Sequence, residues 1–539
     1  MSASPQPTTF ATLWQQSVQR APDATFLLFE RPDGQVLQWT YGQFDDVIAR
    51  TAAYLRQHGV GTGNSVHLAL TNSPTFIAVW LAATRLGAWI VPSDPMGATA
   101  ELRGHIQRTR PVVGFCARSR ADTYLAAATD ADVRVVMVDE ADGELAMFDT
   151  EAFTQWPDPA PLDRAAVMFT SGTTGAPKGV EITQANYAFA GTTMAAASHL
   201  QSHHRQLVVL PVFHANAQYY SFASAIAVGA SVALMHTFSA SGFLAQADRH
   251  RVTHASLFAA PIRMILAPKN AQTAPPVQPL RLQHCWYAMN ISDDQHRTLT
   301  SLLGCAPRQL YGMTETIPAV LTDRAAAPVP SSMGFVTDGC SVAVHRADGT
   351  PAPPAEVGEI VVGGAPGLTL FAGYLDDPVT TAASFRHGWF LTGDRARRDA
   401  TGRFTFDGRR ADVLKVAGEN VSTVEVEQVL SAHPGVLEAA VVGHPDEMRD
   451  EVPVAFVVAA DATNSPTVDQ LHAGCAERLT KAKRPRDITF VDELPRTSVG
   501  KIRKFLLRDP DAETQSQSSP PTSPQTSPPT SPQTSRVHV

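Results

Sequence analysis

Cysteine is scarce in this chain: five among 539 residues. Cys116, Cys285, Cys305, Cys340 and Cys475 are scattered, with no Cys-x-x-Cys pair and no metal-ligand spacing. An odd, dispersed set excludes a disulfide framework and a zinc-ribbon site, and a reducing, cytoplasmic compartment is expected. Positive charge is also in short supply, since 43 Lys and Arg against 51 Asp and Glu leave a net charge of −8. That balance gives no reason to expect nucleic acid as a partner, and the basic cluster at 481–486 is too short to change it. No uncharged apolar run reaches the roughly 18 residues needed to cross a bilayer, and residues 1–5 have neither a basic n-region nor an apolar h-region. Neither a membrane span nor secretion is expected. Apolar residues overall are plentiful at 44%, enough to fill the two or three domains that this length suggests.

A second absence sits inside the most informative stretch, Thr170-Ser171-Gly172-Thr173-Thr174-Gly175-Ala176-Pro177-Lys178-Gly179. Glycines let backbone N–H groups converge on anionic oxygens, hydroxyls add donors and Lys178 adds charge, so the loop is built for a polyphosphate. It follows the apolar run 165–169, which reads as a strand. A Walker A loop is disfavoured, because Pro177 stands where its second glycine belongs and Gly179 where its metal-binding hydroxyl belongs.

Between about residues 40 and 265, β-rich runs alternate with helical patterns: 206–213, 218–228, 232–235, 243–250 and 254–258. That alternation predicts parallel strands joined by crossover helices. Val47, Ile48, Thr51, Ala52 and Leu55 recur at helical spacing, with Asp45 and Asp46 near the start and Gly59 past the end. After Gly408 the texture becomes a small α+β unit, with helices near 424–432 and 469–479 and strands near 439–442 and 454–458. The fold class expected is therefore α/β, with a large domain over 1–408 and a small α+β domain over 409–508. Residues 509–539 contain an eight-residue Ser/Pro/Thr/Gln repeat, positions 519–526 returning letter for letter at 527–534, and are expected to form a disordered tail.

Further motifs narrow the chemistry. Tyr311-Gly312-Met313-Thr314-Glu315-Thr316 offers a ring to stack on a base, a turn, and a carboxylate able to hold Mg²⁺ on ATP phosphates. The segment 388–394 ends a strand-like run on Asp394, suited to two ribose hydroxyls. Gly408-Arg409 opens the next unit, and Gly500-Lys501 lies on a late glycine-bearing loop. In this order and at these separations the set resembles the adenylate-forming superfamily of acyl-CoA synthetases, peptide-synthetase adenylation domains and luciferases. The resemblance runs from about residue 10 to 508 and includes the segment 86–92 and Phe213-His214.

It implies a large domain with mixed and parallel sheets holding ATP and acid, and a small C-terminal lid. It also implies a reaction in two steps. A carboxylate attacks the α-phosphate of MgATP to give acyl-AMP and pyrophosphate, and a thiol or amine then displaces AMP. Carried onto this sequence, the family assigns Thr170, Ser171, Gly172, Thr173, Thr174, Gly175 and Lys178 to the phosphates, Tyr311 and Gly312 to adenine, and Thr314 to the α-phosphate region. Glu315 is assigned to the metal, Asp394 and Arg409 to the ribose, and Lys501 to the transition state, where it acts electrostatically rather than as an acid or base. Phe213 and His214 match the aromatic pair at the acyl pocket, with Asn216, Gln218, Tyr219, Ala288, Met289 and Asn290 around the acyl end. That lining is polar and disfavours a long alkyl chain. Lys415, Gly418 and Glu419 belong to the lid loop of the second step, and the hinge position, commonly Asp or Lys, is Ala411.

Within the superfamily the carnitine/crotonobetaine-type CoA ligases share the flavour of 311–317, 415–427 and 449–451. A trimethylammonium group would want aromatic faces, and Phe213, Tyr219, Tyr220 and Trp286 are candidates. The expected function is an ATP-dependent ligase joining a small or polar acid to CoA. The rival keeps adenylation but uses an amine acceptor, or activates an oxyanion such as nitrite. The expected ligands are ATP, Mg²⁺, CoA and a small-molecule acid.

Overall fold

A computed structural model of the chain describes residues 7–143, 145–170, 177–267, 280–409, 413–416, 419–446, 448–461, 465–497 and 502–508. Ser171, Gly172, Thr173, Thr174, Gly175, Ala411, Gly418, Lys501 and the tail 509–539 lie outside the described residues.

Nine strands form one sheet, in the order Phe335–Val336, Leu321–Thr322, Arg308–Tyr311, His284–Ala288, His254–Phe258, Arg205–Val208, Ser231–Met235, Thr25–Glu30, Val36–Thr40. From Arg308–Tyr311 to Thr25–Glu30 every neighbour is parallel, and antiparallel pairs close both edges. The strand–helix alternation read from 206 to 258 is thus present, with two shifts. The first strand stops at Val208, before Pro211, which has no N–H to give a ladder. The helix that follows begins as a π-helix over Asn216–Ala223 and turns α-helical over Ser224–Val228.

Seven strands form the second sheet, in the order Gly373–Tyr374, Lys178–Thr183, Arg164–Thr170, Trp89–Pro92, Ser65–Ala69, Val113–Ala117, Arg134–Val138. All twelve residues of the helix Pro74–Arg85 are buried, as expected of a helix that is apolar on every face. One continuous core joins it to residues of both sheets, including Phe26, Leu234, Leu68 and Met168. The helix read from Val47 to Leu55 spans Tyr41–Gln57 and starts earlier than the acidic pair suggests. Thr40 and Gln43 form a capping box there. Asp45 instead accepts from Trp14 Nε1 at 2.7 Å and pairs with the buried Arg85 at 2.5 Å.

An antiparallel sheet carries Val357–Gly363, Trp389–Arg398 and Phe404–Arg409. Beyond it, Val413–Val416, Glu419–Ser422, Val436–Asp446, Asp450–Ala459 and Asp487–Phe490 make the last sheet, flanked by helices Thr423–Ser431 and Val468–Arg478. Its core, with Leu414, Val426, Leu430, Val441 and Val457, is separate from the large one among the described residues. The whole is α/β, a large N-terminal part and a small C-terminal part. Among the described residues no helix is long and apolar enough to cross a membrane.

Candidate active site

The phosphate loop joins two antiparallel strands. Arg164–Thr170 pairs with Lys178–Thr183, Thr170 opposite Lys178, so the described residues on both sides of 171–177 belong to paired strands and not to a helix. Thr170 Oγ1 donates to Lys178 O at 3.5 Å. Arg108 braces the base of this hairpin: it donates to Pro177 O at 2.5 Å and lies over the Phe169 ring at 4.9 Å. Sequence reasoning missed Arg108, which no motif marks.

Lys178 leads to the carboxylate side of the site through an unforeseen residue, Tyr374. The Lys178 ammonium lies 4.8 Å from the Tyr374 ring centroid, and the Tyr374 hydroxyl donates to Glu315 Oε1 at 3.1 Å. Tyr374 belongs to a two-residue strand paired with Lys178–Thr183, which fixes the ring between cation and carboxylate. Burial, then the nearby Glu315 charge, raise its phenol well above the ordinary value, so it remains a donor. The signal for it was slight, an aromatic after Gly373 in a segment without periodicity.

Glu315 is 4% exposed and lies in the short turn Thr314–Thr316. Gly312 precedes it in a tight spot, where a Cβ would come within 2.9 Å of both Ala319 Cα and Pro318 O, so only glycine passes. Among the described residues no group of three or more His, Cys, Asp and Glu side chains could hold a metal alone. A single buried carboxylate suits Mg²⁺, which binds through one or two carboxylates together with substrate phosphates.

Asp394 gathers two other expected residues. Tyr311 donates to its Oδ2 at 2.8 Å and Arg409 Nε to its Oδ1 at 3.0 Å. Strand register makes this possible, Asp394 facing Arg409 across the antiparallel pair. Burial, then the Asp394 charge, hold the Tyr311 phenol well above its usual range.

At the acyl end the His214 ring meets Phe258 edge-on at 5.8 Å, and Asn216 N donates to His214 Nδ1 at 3.3 Å. Phe213 is half-buried against the core. Both ends of the Gln218 amide are engaged inside the protein, Nε2 with Val212 O at 2.7 Å and Oε1 with the Tyr187 hydroxyl. Asn216 and Tyr219 are buried, and among the described residues the Asn216 amide and the Tyr219 hydroxyl have no partner. Ala288 ends its strand, Met289 follows in the left-handed region at φ 71°, and Gln309 Nε2 donates to Met289 O and Asn290 Oδ1.

Asn290 also ties the pocket to the small unit. Arg263, on the helix Ala259–Leu266, donates to Asn290 O at 3.0 Å and pairs with Glu438 at 3.2 Å. Glu438 lies on Val436–Asp446 and also pairs with Arg496. This link, centred on the buried Glu438, was not legible in the sequence, because its members are 175 and 58 residues apart. Lys415 is exposed on the hairpin Val413–Val416 and Glu419–Ser422, in which Val416 faces Glu419.

Comparison with known proteins agrees with this arrangement. The model of the AMP-binding enzyme family matches residues 14–375, and that of the AMP-binding enzyme C-terminal domain matches 425–501. The chain belongs to the AMP-binding enzyme family and is an adenylate-forming ligase. It is 31% identical over 522 residues to a crotonobetaine/carnitine–CoA ligase of Citrobacter koseri, an alignment covering 92% of this chain and 98% of the relative. ATP-bound MatB from Rhodopseudomonas palustris superposes with a TM-score of 0.83 at 26% identity, covering 94% of this chain and 100% of that one. The o-succinylbenzoate CoA synthetase of Bacillus subtilis superposes with a TM-score of 0.79 at 27% identity, covering 92% and 98%.

Proposed function

We propose that the chain is an acid–thiol ligase that activates a small or polar carboxylic acid with ATP and passes the acyl group from AMP to CoA. The observation carrying this reading is the grip of one buried carboxylate, Asp394, on Tyr311 and Arg409, an acidic hook of the kind that holds two ribose hydroxyls. In this reading the large domain, 1–408, holds the nucleotide and acid. The unit 409–508 is the lid, with Ala411 at its hinge, and 509–539 is a solvated tail. Thr170, Ser171, Gly172, Thr173, Thr174, Gly175 and Lys178 hold the phosphates, with Thr314 near the α-phosphate. Glu315 holds Mg²⁺, which when bound neutralises phosphate charge.

The acid needs no general base, being an anion at neutral pH. His214 and Phe213 guard the passage between acid and adenylate. Lys501 aims its charge at the oxygens of the reacting phosphorus, where a preplaced donor is worth about 10²–10³ in rate. Lys415, Gly418 and Glu419 serve the thioester step.

The test is a panel of acids assayed for pyrophosphate release and for thioester, with and without CoA, on wild type and Gly418→Leu. A side chain at 418 closes the path along the loop backbone, so the variant should release pyrophosphate in the first turnover, accumulate acyl-AMP and make little thioester. A wild type that adenylates acids yet never forms a thioester would hand the assignment to the amine acceptor.

A further inference from the structure

Next to the residues expected around the acyl end lies a second row of buried polar side chains, and from it we infer that the acid ends in a neutral oxygen function, a hydroxyl or a carboxamide. This rests on the acid–thiol ligase reading above. The strands His254–Phe258 and His284–Ala288 run parallel, with Phe258 opposite Ala288, Ser256 opposite Trp286 and His254 opposite His284. Alternate residues share a face. Beneath Phe258 and Ala288, where His214 packs, the next side chains on that face are therefore Ser256 and Trp286, about 7 Å further in.

Ser256 is 4% exposed and Trp286 3%, and among the described residues neither Ser256 Oγ nor Trp286 Nε1 has a hydrogen-bond partner. The π-helix Asn216–Ala223 packs against the strand His254–Phe258. It brings Asn216, 3% exposed with both amide atoms unpartnered, and Tyr219, 1% exposed with its hydroxyl unpartnered. Buried polar atoms nearly always have partners. Ser256 and Trp286, with His284 next on the same face and its Nε2 likewise without a partner among the described residues, and Asn216 and Tyr219 on the segment packed over them mark a wall whose partners come from a ligand.

The chemistry of the set decides which ligand. Trp286 only donates, Asn216 offers one donor group and one acceptor, and the two hydroxyls and the His284 ring nitrogen do either. A trimethylammonium or methyl end neither donates nor accepts and would leave all of them unmatched. A carboxylate end would need a cation. The cation nearest in register, Arg308, opposite Trp286, is bound to the carbonyls of Asp323 and Ala325 at 3.2 and 2.6 Å. A hydroxyl or carboxamide matches the wall, and the depth of the layer asks for about five carbon–carbon bonds beyond the His214 level.

The experiment compares straight-chain acids of one length ending in methyl, hydroxyl, carboxamide, carboxylate or trimethylammonium. It uses the full chain with ATP and Mg²⁺ and reads pyrophosphate release, with and without CoA. The hydroxyl and carboxamide acids should exceed the methyl acid in kcat/KM by at least about a hundredfold, because a site built to hydrogen-bond rejects the analogue that cannot. Ser256→Ala and Trp286→Phe should each shrink that ratio about tenfold. Asn216→Asp, nearly isosteric, should swing preference toward the trimethylammonium acid, a gain that misfolding cannot mimic. Equal rates across the series, the result for a wall that only holds water, would overturn the inference, as would preference for the methyl or trimethylammonium acid in wild type. Those outcomes leave the ligase reading standing, whereas no pyrophosphate from any acid removes both.

Discussion

Glu315 is held as a hydrogen-bonded carboxylate because Tyr374, a residue with no motif of its own, donates to it across a ring that also carries the Lys178 charge. Tyr374→Phe deletes that donor while keeping the ring. Supporting hydrogen bonds of this kind typically alter metal affinity 10–100-fold. The Mg²⁺ concentration giving half-maximal pyrophosphate release should therefore rise about tenfold, with a smaller change in the KM for the acid. An unchanged magnesium titration would mean that Tyr374 only packs. The sequence picked out Tyr311, Asp394 and Arg409, which the fold brings together, because they lie in polar, glycine-punctuated motifs. Tyr374 and Arg108 were not, since each acts through a partner distant in sequence, Arg108 being 69 residues from Pro177.

At the scale of elements, the hydrophobic pattern was a good guide where one face of a strand or helix meets the core. It recovered two helices and two strands of the small unit, with the helix expected at 424–432 found over Thr423–Ser431 and that at 469–479 over Val468–Arg478, but not the hairpin Val413–Val416 and Glu419–Ser422. It was a poor guide to ends, which capping side chains decide: Thr40 and Gln43, rather than Asp45 and Asp46, start the helix Tyr41–Gln57. The π-helix over Asn216–Ala223 was legible only as part of the helical pattern at 218–228, and with every residue in it buried nothing marked its wider turn. Strand Val436–Asp446 supports a prediction of its own. Glu438 there pairs with Arg263 of the large part and with Arg496, five positions before Lys501. Glu438→Gln removes the charge that holds both arginines. Adenylation, read as pyrophosphate release, should slow at least tenfold, while thioester formation from supplied acyl-AMP and CoA should change much less. Equal losses in the two steps would show a general folding defect instead.

For the molecule as a whole, buried histidines set the acid limit of stability. Burial, then His105, push His67 down to about 3, and burial leads in bringing His105 and His254 to about 4. His67 and His105 are further joined through Ser93, with Tyr124 at the far end. Each ring is neutral in the folded chain and takes up a proton near pH 6.5 when unfolded. The unfolded state therefore binds more protons as pH falls, and stability drops from about pH 6.5 toward 4. Each of the three histidines should cost about 1 kcal/mol by pH 5.5. The urea midpoint should be level above pH 7 and fall steadily below 6.5, whereas a flat midpoint down to 5.5 would exclude this origin.

The bond from Arg263 to Asn290, made by the same guanidinium that meets Glu438, bears on how such proteins are recombined. A graft that exchanges the residues after 409 for those of a relative would leave the part-buried Arg263 without its carboxylate beside Asn290 unless an acid returns at position 438. The large part's Asn290 region and the small unit are thus inherited together, and a hybrid built without regard to this pair should lose selectivity in a half whose own sequence was never touched.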